Sequence, residues 1–354
     1  MPDNSVDAVV TDPPYGLSPV SPGKMTETLA AWVNGDTGFI PKMKGYMGQA
    51  WDGFVPPPVV WAECMRVLKP GGHMAVFAGS RTVHIMGFAL MFSGLEVRDT
   101  LAWIHGNGFP RSLDYGQQLE KLGHEGLGET YWDWRSELKP ANEPIILARK
   151  PLSETSIARN IAEHGTGAIN VGDCRYGDFQ ARRVLHHTGR ALLQGAHSVD
   201  HLRQLAAAGK KTPSGDSAVK VLHRLETMEE RVARTPVAKP GRWPANVVTG
   251  ELVAEGLGDK AKFFFCPRIQ KKDIPKTYAD DGRLIQHQTV KPLALMEWLV
   301  TLITPPGGTV LDPFAGSGST LEAARNKGFN SIGIEREADY IRLIGARLDH
   351  QRAS

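Results

Sequence analysis

Long apolar runs are missing from this 354-residue chain. The longest, residues 74–79 and 298–303, fall well below the ~20 residues that a membrane-spanning helix needs. The first ten residues, MPDNSVDAVV, also lack the basic segment and apolar core of a signal peptide. We therefore expect a cytoplasmic protein that does not associate with a membrane.

Cysteine is scarce as well. The chain has three, Cys64, Cys174 and Cys266, and they lie far apart. An odd number of scattered cysteines suits neither a disulfide framework nor the paired spacing of a zinc site. We predict reduced thiols and no metal site.

The net charge is only +3, but it is unevenly distributed. Residues 175–291 carry 21 basic against 12 acidic side chains, whereas residues 1–174 carry 14 against 19 and residues 292–354 carry 6 against 7. A basic segment between two mildly acidic ones favours a polyanionic partner such as nucleic acid. A solvated basic surface would give the same counts, so charge alone leaves both interpretations open.

Apolar periodicity predicts alternating strands and helices on both sides of this basic segment, which is typical of an α/β fold with a largely parallel sheet. The predicted strands are 5–12, 73–79, 95–105, 143–149, 309–312 and 329–335, and the predicted helices are 59–68, 82–94, 293–304, 319–328 and 338–351. The middle lacks this alternation. There we predict helices at 197–209 and 217–234 and a buried strand at 263–266.

A proline turn, Asp12-Pro13-Pro14-Tyr15, follows the first predicted strand. It should lie at the carboxyl end of that strand, where α/β sheets bind ligands. The prolines make the turn rigid and leave carbonyl acceptors beside the Asp12 carboxylate. An exocyclic amine of a base needs such acceptors, because its lone pair is delocalised into the ring and must be localised before it can attack a methyl donor. Tyr15 can stack on the base. A rigid surface turn is the alternative.

A glycine loop, Asp312-Pro313-Phe314-Ala315-Gly316-Ser317-Gly318, follows another predicted strand and precedes a helix. Its glycines allow close approach of a ligand, and Glu335 stands 19 residues after Gly316, a spacing that suits an acid bonding ribose hydroxyls. The loop has no phosphate-binding lysine, and Asp312 would repel a diphosphate. It suits S-adenosyl-L-methionine, which carries an amine and a sulfonium.

Together these segments resemble the beta class of DNA amino-methyltransferases. The matching segments are DPPY at 12–15, HQTVKP at 287–292, DPFAGSGST at 312–320 and GIERE at 333–337, in the order of that class. Segments 108–112, 138–152, 164–175 and 241–248 resemble phage and prophage members in particular. The resemblance implies a circularly permuted, Rossmann-like methyltransferase fold with an inserted basic target-recognition region.

The resemblance also implies roles for single residues. Asp12 and the Pro13 carbonyl would accept from the target amine, with Pro14 and Tyr15 completing the catalytic turn. The cofactor-binding residues would be Asp312, Phe314, Gly316, Ser317, Gly318 and Glu335, together with His287, Thr289 and Lys291 of a segment that closes over the cofactor.

Two departures from the class affect these expectations. Gln288 stands where the class usually has proline, which would loosen the segment around it. Members of the class also carry a further strand and a Gly-Asp segment before the stretch that corresponds to residues 2–7. We expect a chain beginning at Met1 to lack that strand and part of the adenine pocket, unless translation starts upstream.

These patterns predict a catalytic half at 1–160, a target-recognition region at 161–285 and a cofactor-binding half at 286–354. The leading hypothesis is a sequence-specific methyltransferase that acts on the 6-amino group of adenine in double-stranded DNA, and dimers, which are common in the beta class, make a homodimer the expected assembly. The alternatives are methylation of the cytosine 4-amino group, an RNA or protein-amide methyltransferase, and a catalytically decayed DNA-binding protein.

Overall fold

The computed structural model describes residues 1–43, 52–105, 113–138, 140–176, 199–212, 217–223, 244–249, 254–255, 257, 264–265, 267, 273–287 and 289–349. The chain divides into two compact units. Unit 1 comprises Met1–Cys174 and Pro244–Ser354, and unit 2 comprises Arg175–Trp243.

In unit 1 the strands are β1 Val6–Thr11, β2 Leu68–Phe77, β3 Glu96–Ile104, β4 Asn142–Arg149, β5 Val247–Thr249, β6 Thr277–Tyr278, β7 Leu284–Ile285, β8 Thr309–Asp312 and β9 Asn330–Gly333. Its helices are α1 Pro22–Val33, α2 Pro58–Val67, α3 Val83–Phe92, α4 Tyr115–Lys121, α5 Glu125–Thr130, α6 Ile157–His164, α8 Leu293–Ile303, α9 Ser319–Asn326 and α10 Ala338–Asp349. Helix α7, Val199–Ala207, lies in unit 2.

Seven strands form one mixed sheet in the order β5-β3-β4-β2-β1-β8-β9. The pairs β1–β2, β1–β8, β8–β9 and β3–β5 are parallel, whereas β4 runs antiparallel to both β2 and β3. The predicted α/β class with a mostly parallel sheet is therefore confirmed.

The chain leaves β1 and β8 in opposite directions along this sheet. From β1 it passes through α1 and α2 to β2 on one side, and from β8 it passes through α9 to β9 on the other. A reversal of this kind opens a crevice at the carboxyl ends of the two central strands, where open α/β sheets bind ligands.

The two faces of the sheet bury alternate residues of the same strands. In β1, Ala8 and Val10 face a core that includes Leu299 of α8, whereas Val9 faces the core around Trp61 of α2. All five are fully buried. Burial of a leucine side chain contributes roughly 2 kcal/mol. A shift of β1 by one residue would exchange its two faces, so the period-two pattern fixes the register of the strand and thereby the position of the turn at its carboxyl end.

Most predicted elements of unit 1 are present, but some boundaries differ. Strand β2 begins at Leu68, directly after α2, rather than at residue 73. A register shift in β1 between Val6 and Ala8 lets residues 68–72 join the strand, and Gly71 has a φ of 78° there. Helices α1, α4, α5 and α6 were not predicted from the sequence.

In unit 2, helix α7 confirms the helix predicted at 197–209, and residues 218–223 are helical. Leu202, Ala218 and Val221 are buried together there. The rest of the helix predicted at 217–234 lies outside the described residues.

The strand predicted at 263–266 belongs to unit 1, where Phe265 pairs with Val248.

Cys64 and Cys174 are buried, free thiols, and Cys266 lies outside the described residues. Within the part of the chain that the structure describes, every helix is too short or too polar to cross a membrane.

Candidate active site

The proline turn and the glycine loop meet at the carboxyl ends of β1 and β8. Val9 lies beside Leu311 in the sheet, so the residues that follow the two strands are neighbours. The Thr11 hydroxyl donates to Asp312 Oδ1 at 2.7 Å. This buried hydrogen bond joins two segments that are 301 residues apart in the chain.

The backbone of the proline turn is held from two sides. Asp52 Oδ1 accepts from the backbone N–H groups of Tyr15, at 2.9 Å, and Gly16, at 3.0 Å. The Thr82 hydroxyl donates to the Tyr15 carbonyl at 2.6 Å. Gly16 has a φ of 65°, and a Cβ there would lie 2.7 Å from Val55 N, so both conformation and space require glycine.

The two carboxylate oxygens of Asp12 have different surroundings. Oδ2 accepts from Lys291 Nζ at 2.6 Å. Oδ1 is buried and has no hydrogen-bond partner among the described residues. A buried acceptor without a donor is costly, and it is expected where a ligand supplies the donor.

Lys291 lies between two acidic residues. Its Nζ is 2.6 Å from Asp12 Oδ2 and 3.2 Å from Glu143 Oε2, and it also lies 5.4 Å from the centroid of the Tyr15 ring. Burial opposes its charge, but the two carboxylates offset burial and raise the pKa of Lys291 above its usual value. Lys291 directly precedes Pro292 and the buried helix α8, which fix its position.

Glu143, at the start of β4, completes this cluster. It accepts from the Tyr15 hydroxyl at 2.8 Å and lies 3.4 Å from His105 Nε2. Burial would raise the pKa of Glu143, but Lys291, His105 and Tyr15 together lower it to about 2. Burial and the charges of Asp12 and Glu143 raise the pKa of Tyr15 well above its usual value, so its hydroxyl remains a donor.

On the other side of the crevice, the glycine loop faces Glu335. Gly316 N donates to Glu335 Oε2 at 2.7 Å, and Gly316 and Gly318 have φ values of 50° and 79°. The Ser317 hydroxyl is turned toward Arg347 of α10, whose Nη1 donates to it at 3.1 Å and to the Ser317 carbonyl at 3.0 Å.

Asp312 is buried beneath this loop among neutral donors. Its hydrogen-bond donors are the hydroxyls of Thr11 and Thr320 and the backbone N–H of Phe314. Burial raises the pKa of Asp312 to about 6 despite these donors. The Phe314 ring packs 6.2 Å from the ring of Trp61.

The segment from His287 to Lys291 reaches both loops. A Cβ on Gly316 would lie 3.1 Å from His287 Nε2, so the imidazole rests against the glycine loop. His287 also packs 4.7 Å from the Tyr340 ring and accepts from Thr289 N at 3.2 Å. Burial lowers the pKa of His287. Lys291, four residues later, contacts the proline turn instead.

The model of the N6/N4 methyltransferase family, described as DNA methylase, matches residues 6–346. The chain belongs to this family. The match includes both loops of the crevice and the segment between them.

Two curated relatives of this N6/N4 DNA methylase are type II methyltransferases. M.HindIII of Haemophilus influenzae is 25% identical over 288 residues, which are 81% of this chain and 66% of the relative. M.BglI of Bacillus subtilis is 39% identical over 86 residues, or 24% of this chain and 21% of the relative. The chain thus spans less than two thirds of either relative.

A solved structure, PvuII DNA methyltransferase (cytosine-N4-specific), aligns with 98% of this chain and 80% of its own. The TM-score is 0.45 and the sequence identity 12%.

Several residues at the crevice of this N6/N4 DNA methylase were not identified from the sequence. They are Asp52, Thr82, His105, Glu143 and Arg347, which hold the proposed site residues in place. Glu143 lies within a segment that resembles the beta class, at 138–152, and this was the available signal. The others occupy ordinary sequence contexts and are brought to the site by tertiary structure.

Proposed function

We propose that this chain is a DNA methyltransferase that uses S-adenosyl-L-methionine to methylate the 6-amino group of adenine in double-stranded DNA. The observation that carries the proposal is Oδ1 of Asp12, which is buried without a partner among the described residues and directly follows β1, the strand beside β8 and the glycine loop. It offers an acceptor to a donor that the described residues do not supply.

An amino group on a base fits this acceptor. Asp12 Oδ1 and the Pro13 carbonyl would each accept one amino hydrogen, which localises the nitrogen lone pair. The hydrogen bond from the Tyr15 hydroxyl to Glu143 fixes the orientation of the Tyr15 ring, and we propose that this ring stacks on the extruded base. Pro14 adds rigidity to the turn.

The glycine loop fits the proposed cofactor. Buried Asp312 has neutral hydrogen-bond donors, so it can ionise toward a cationic group, and Gly316 and Gly318 present backbone without Cβ atoms. When bound, S-adenosyl-L-methionine supplies an electrophilic methyl group. Phe314 and Glu335 would complete the binding site with His287 and Thr289. Ser317 would contribute through its backbone, because its hydroxyl contacts Arg347.

The proposed DNA partner rests on the basic segment 175–291, which would follow phosphates while the region 161–285 reads base edges. The division into catalytic, target-recognition and cofactor-binding parts remains a prediction, and so does the homodimer.

Replacing Asp12 with alanine tests the central role. With tritium-labelled S-adenosyl-L-methionine and unmethylated plasmid DNA, we expect Asp12→Ala to lose methyl transfer and to retain cofactor binding by calorimetry. Asp36→Ala, which alters an exposed aspartate of the same unit, should behave as the original protein. Full transfer by Asp12→Ala would reject this role. Absence of a heat of binding in the folded original protein would favour a decayed DNA-binding protein.

The identity of the methylated base needs a separate readout. DPPY favours adenine within the beta class and SPPY favours cytosine, and this chain has DPPY at 12–15. We expect N6-methyl-2′-deoxyadenosine when the methylated DNA is digested to nucleosides and analysed by mass. N4-methyl-2′-deoxycytidine would instead establish cytosine as the target. Competition between RNA and duplex DNA tests whether the protein acts on RNA instead.

A further inference from the structure

We propose that Lys291 is a positioning residue for the proline turn: its ammonium, held between Asp12 and Glu143, orients Asp12 so that Oδ1 faces the target amine. The inference rests on the proposed role of Asp12. It differs from the role expected from the sequence, in which Lys291 belongs to a segment that closes over the cofactor.

The first support is the asymmetry of the Asp12 carboxylate. Lys291 Nζ binds Oδ2 at 2.6 Å and leaves Oδ1 buried without a partner among the described residues. A carboxylate held by one oxygen cannot rotate freely, so the other oxygen keeps a fixed direction. Lys291 is itself restrained, because its side chain is only 8% exposed.

The second support is the balance of charge. Two carboxylates, Asp12 and Glu143, converge on one ammonium, so these three groups carry a net charge of −1 when all are ionised. Methylation makes the amine nitrogen transiently cationic, and the neutral product requires that nitrogen to lose one proton. Asp12 Oδ1 is placed to accept it. A net negative site stabilises the cation, whereas two carboxylates without the lysine would keep a proton on one of them.

The third support is the way Glu143 is held. The Tyr15 hydroxyl donates to it at 2.8 Å and His105 lies 3.4 Å away, and these groups with Lys291 lower the pKa of Glu143 to about 2 despite its burial. Glu143 therefore stays ionised and keeps Lys291 charged between the two acids. Asp12 directly follows β1 and Glu143 lies in β4, so the ammonium joins two separate parts of the sheet.

The test is Lys291→Met, with Lys69→Met as the matched control. Lys69 Nζ forms an equally short ion pair, 2.6 Å, with buried Asp7, near the opposite end of β1. Both variants remove a lysine from a carboxylate in β1 or directly after it, so a loss of activity caused only by a broken ion pair at this strand would appear in both. The measurements are single-turnover methyl transfer to unmethylated plasmid DNA at saturating S-adenosyl-L-methionine, and cofactor affinity by calorimetry.

We expect Lys291→Met to lower the saturated rate about 100-fold while cofactor affinity changes less than about threefold. Lys69→Met should keep its rate within about threefold. The inference is overturned if Lys291→Met weakens cofactor binding and keeps its rate at saturation, since the lysine would then act on the cofactor. It is also overturned if both variants lose rate equally.

A second variant removes the dependence on how well Lys291→Met folds. Lys291→Met combined with Glu143→Gln eliminates one of the two facing carboxylates and should recover at least about tenfold of the lost rate. A purely structural role predicts further loss in the double variant, and that result would overturn the inference. Asp12→Ala, run in parallel, separates the proposed function from this inference. Full activity of Asp12→Ala would reject the proposed function. An inactive Asp12→Ala beside a fully active Lys291→Met would reject this inference alone.

Discussion

Asp12 and Asp312 occupy neighbouring positions, one after β1 and one at the end of β8, yet their surroundings differ. Asp12 forms an ion pair with Lys291, whereas Asp312 is buried among hydroxyl and amide donors, which leave its pKa at about 6. Different environments allow two similar side chains to perform different tasks. Here the surroundings of Asp12 suit an acceptor for an amine, and those of Asp312 suit a partner for a cation.

The raised pKa of Asp312 predicts how cofactor affinity depends on pH. Below about pH 6 the free protein holds this carboxyl neutral, and binding a cationic cofactor then requires loss of a proton. Affinity for S-adenosyl-L-methionine should therefore rise about tenfold between pH 5 and pH 7, with protons released on binding. Calorimetry in buffers of different ionisation enthalpy measures both quantities.

Asp312→Asn is the control for this pH dependence. It keeps the side-chain size and removes the titrating group, so its affinity should change little over the same range. His287 lies against the glycine loop and also titrates, with a pKa lowered by burial. An unchanged pH dependence in Asp312→Asn would assign the effect to His287 and contradict the role given to Asp312.

At the scale of elements, helix α10 supports the glycine loop through one buried side chain. Arg347 forms an ion pair with Glu322 of α9 and donates to the Ser317 carbonyl at 3.0 Å and to the Ser319 hydroxyl at 3.0 Å. The guanidinium thereby joins α10, α9 and the loop between β8 and α9. Its hydrogen bonds keep the positive-φ backbone of that loop in one conformation.

Arg347→Met should consequently lower both stability and cofactor affinity. Removing one member of a buried ion pair costs about 3 kcal/mol, which urea unfolding measures. Arg342→Met is the control on the same helix, since Arg342 forms an exposed ion pair with Asp280 and should matter little. Equal shifts of the urea midpoint in the two variants would contradict a supporting role for Arg347.

The elements that carry the two loops were predictable, whereas the residues around them were not. Strand β8 occupies the predicted residues, and β1 lies within its predicted range, because both strands are apolar and end at acid and proline. Glu143 and His105 reach the site because β3 and β4 pair antiparallel, with residues 105–141 between them. No local pattern encodes that pairing.

At the scale of the whole molecule, the site joins the two ends of the chain. The turn at 12–15 and the loop at 312–318 are separated by nearly the full sequence, and the position of β1 between β2 and β8 brings them together. The order of the motifs indicated that they belong to one site. The contact between Asp12 and Lys291 needed the fold, because it depends on where helix α8 begins.

The central claim is that an amine held by Asp12 faces a methyl group carried on the glycine loop. The most direct measurement is a crystal structure of the protein with S-adenosylhomocysteine, in which the distance from Asp12 Oδ1 to the ligand sulfur is read. If the amine lies at hydrogen-bond distance from Asp12 Oδ1 and at attack distance from the methyl group, Oδ1 lies about 8 Å or less from the sulfur. We predict a value in that range, with the ligand against Gly316 and Gly318. Sulfur lying more than about 15 Å from Asp12 would contradict the account.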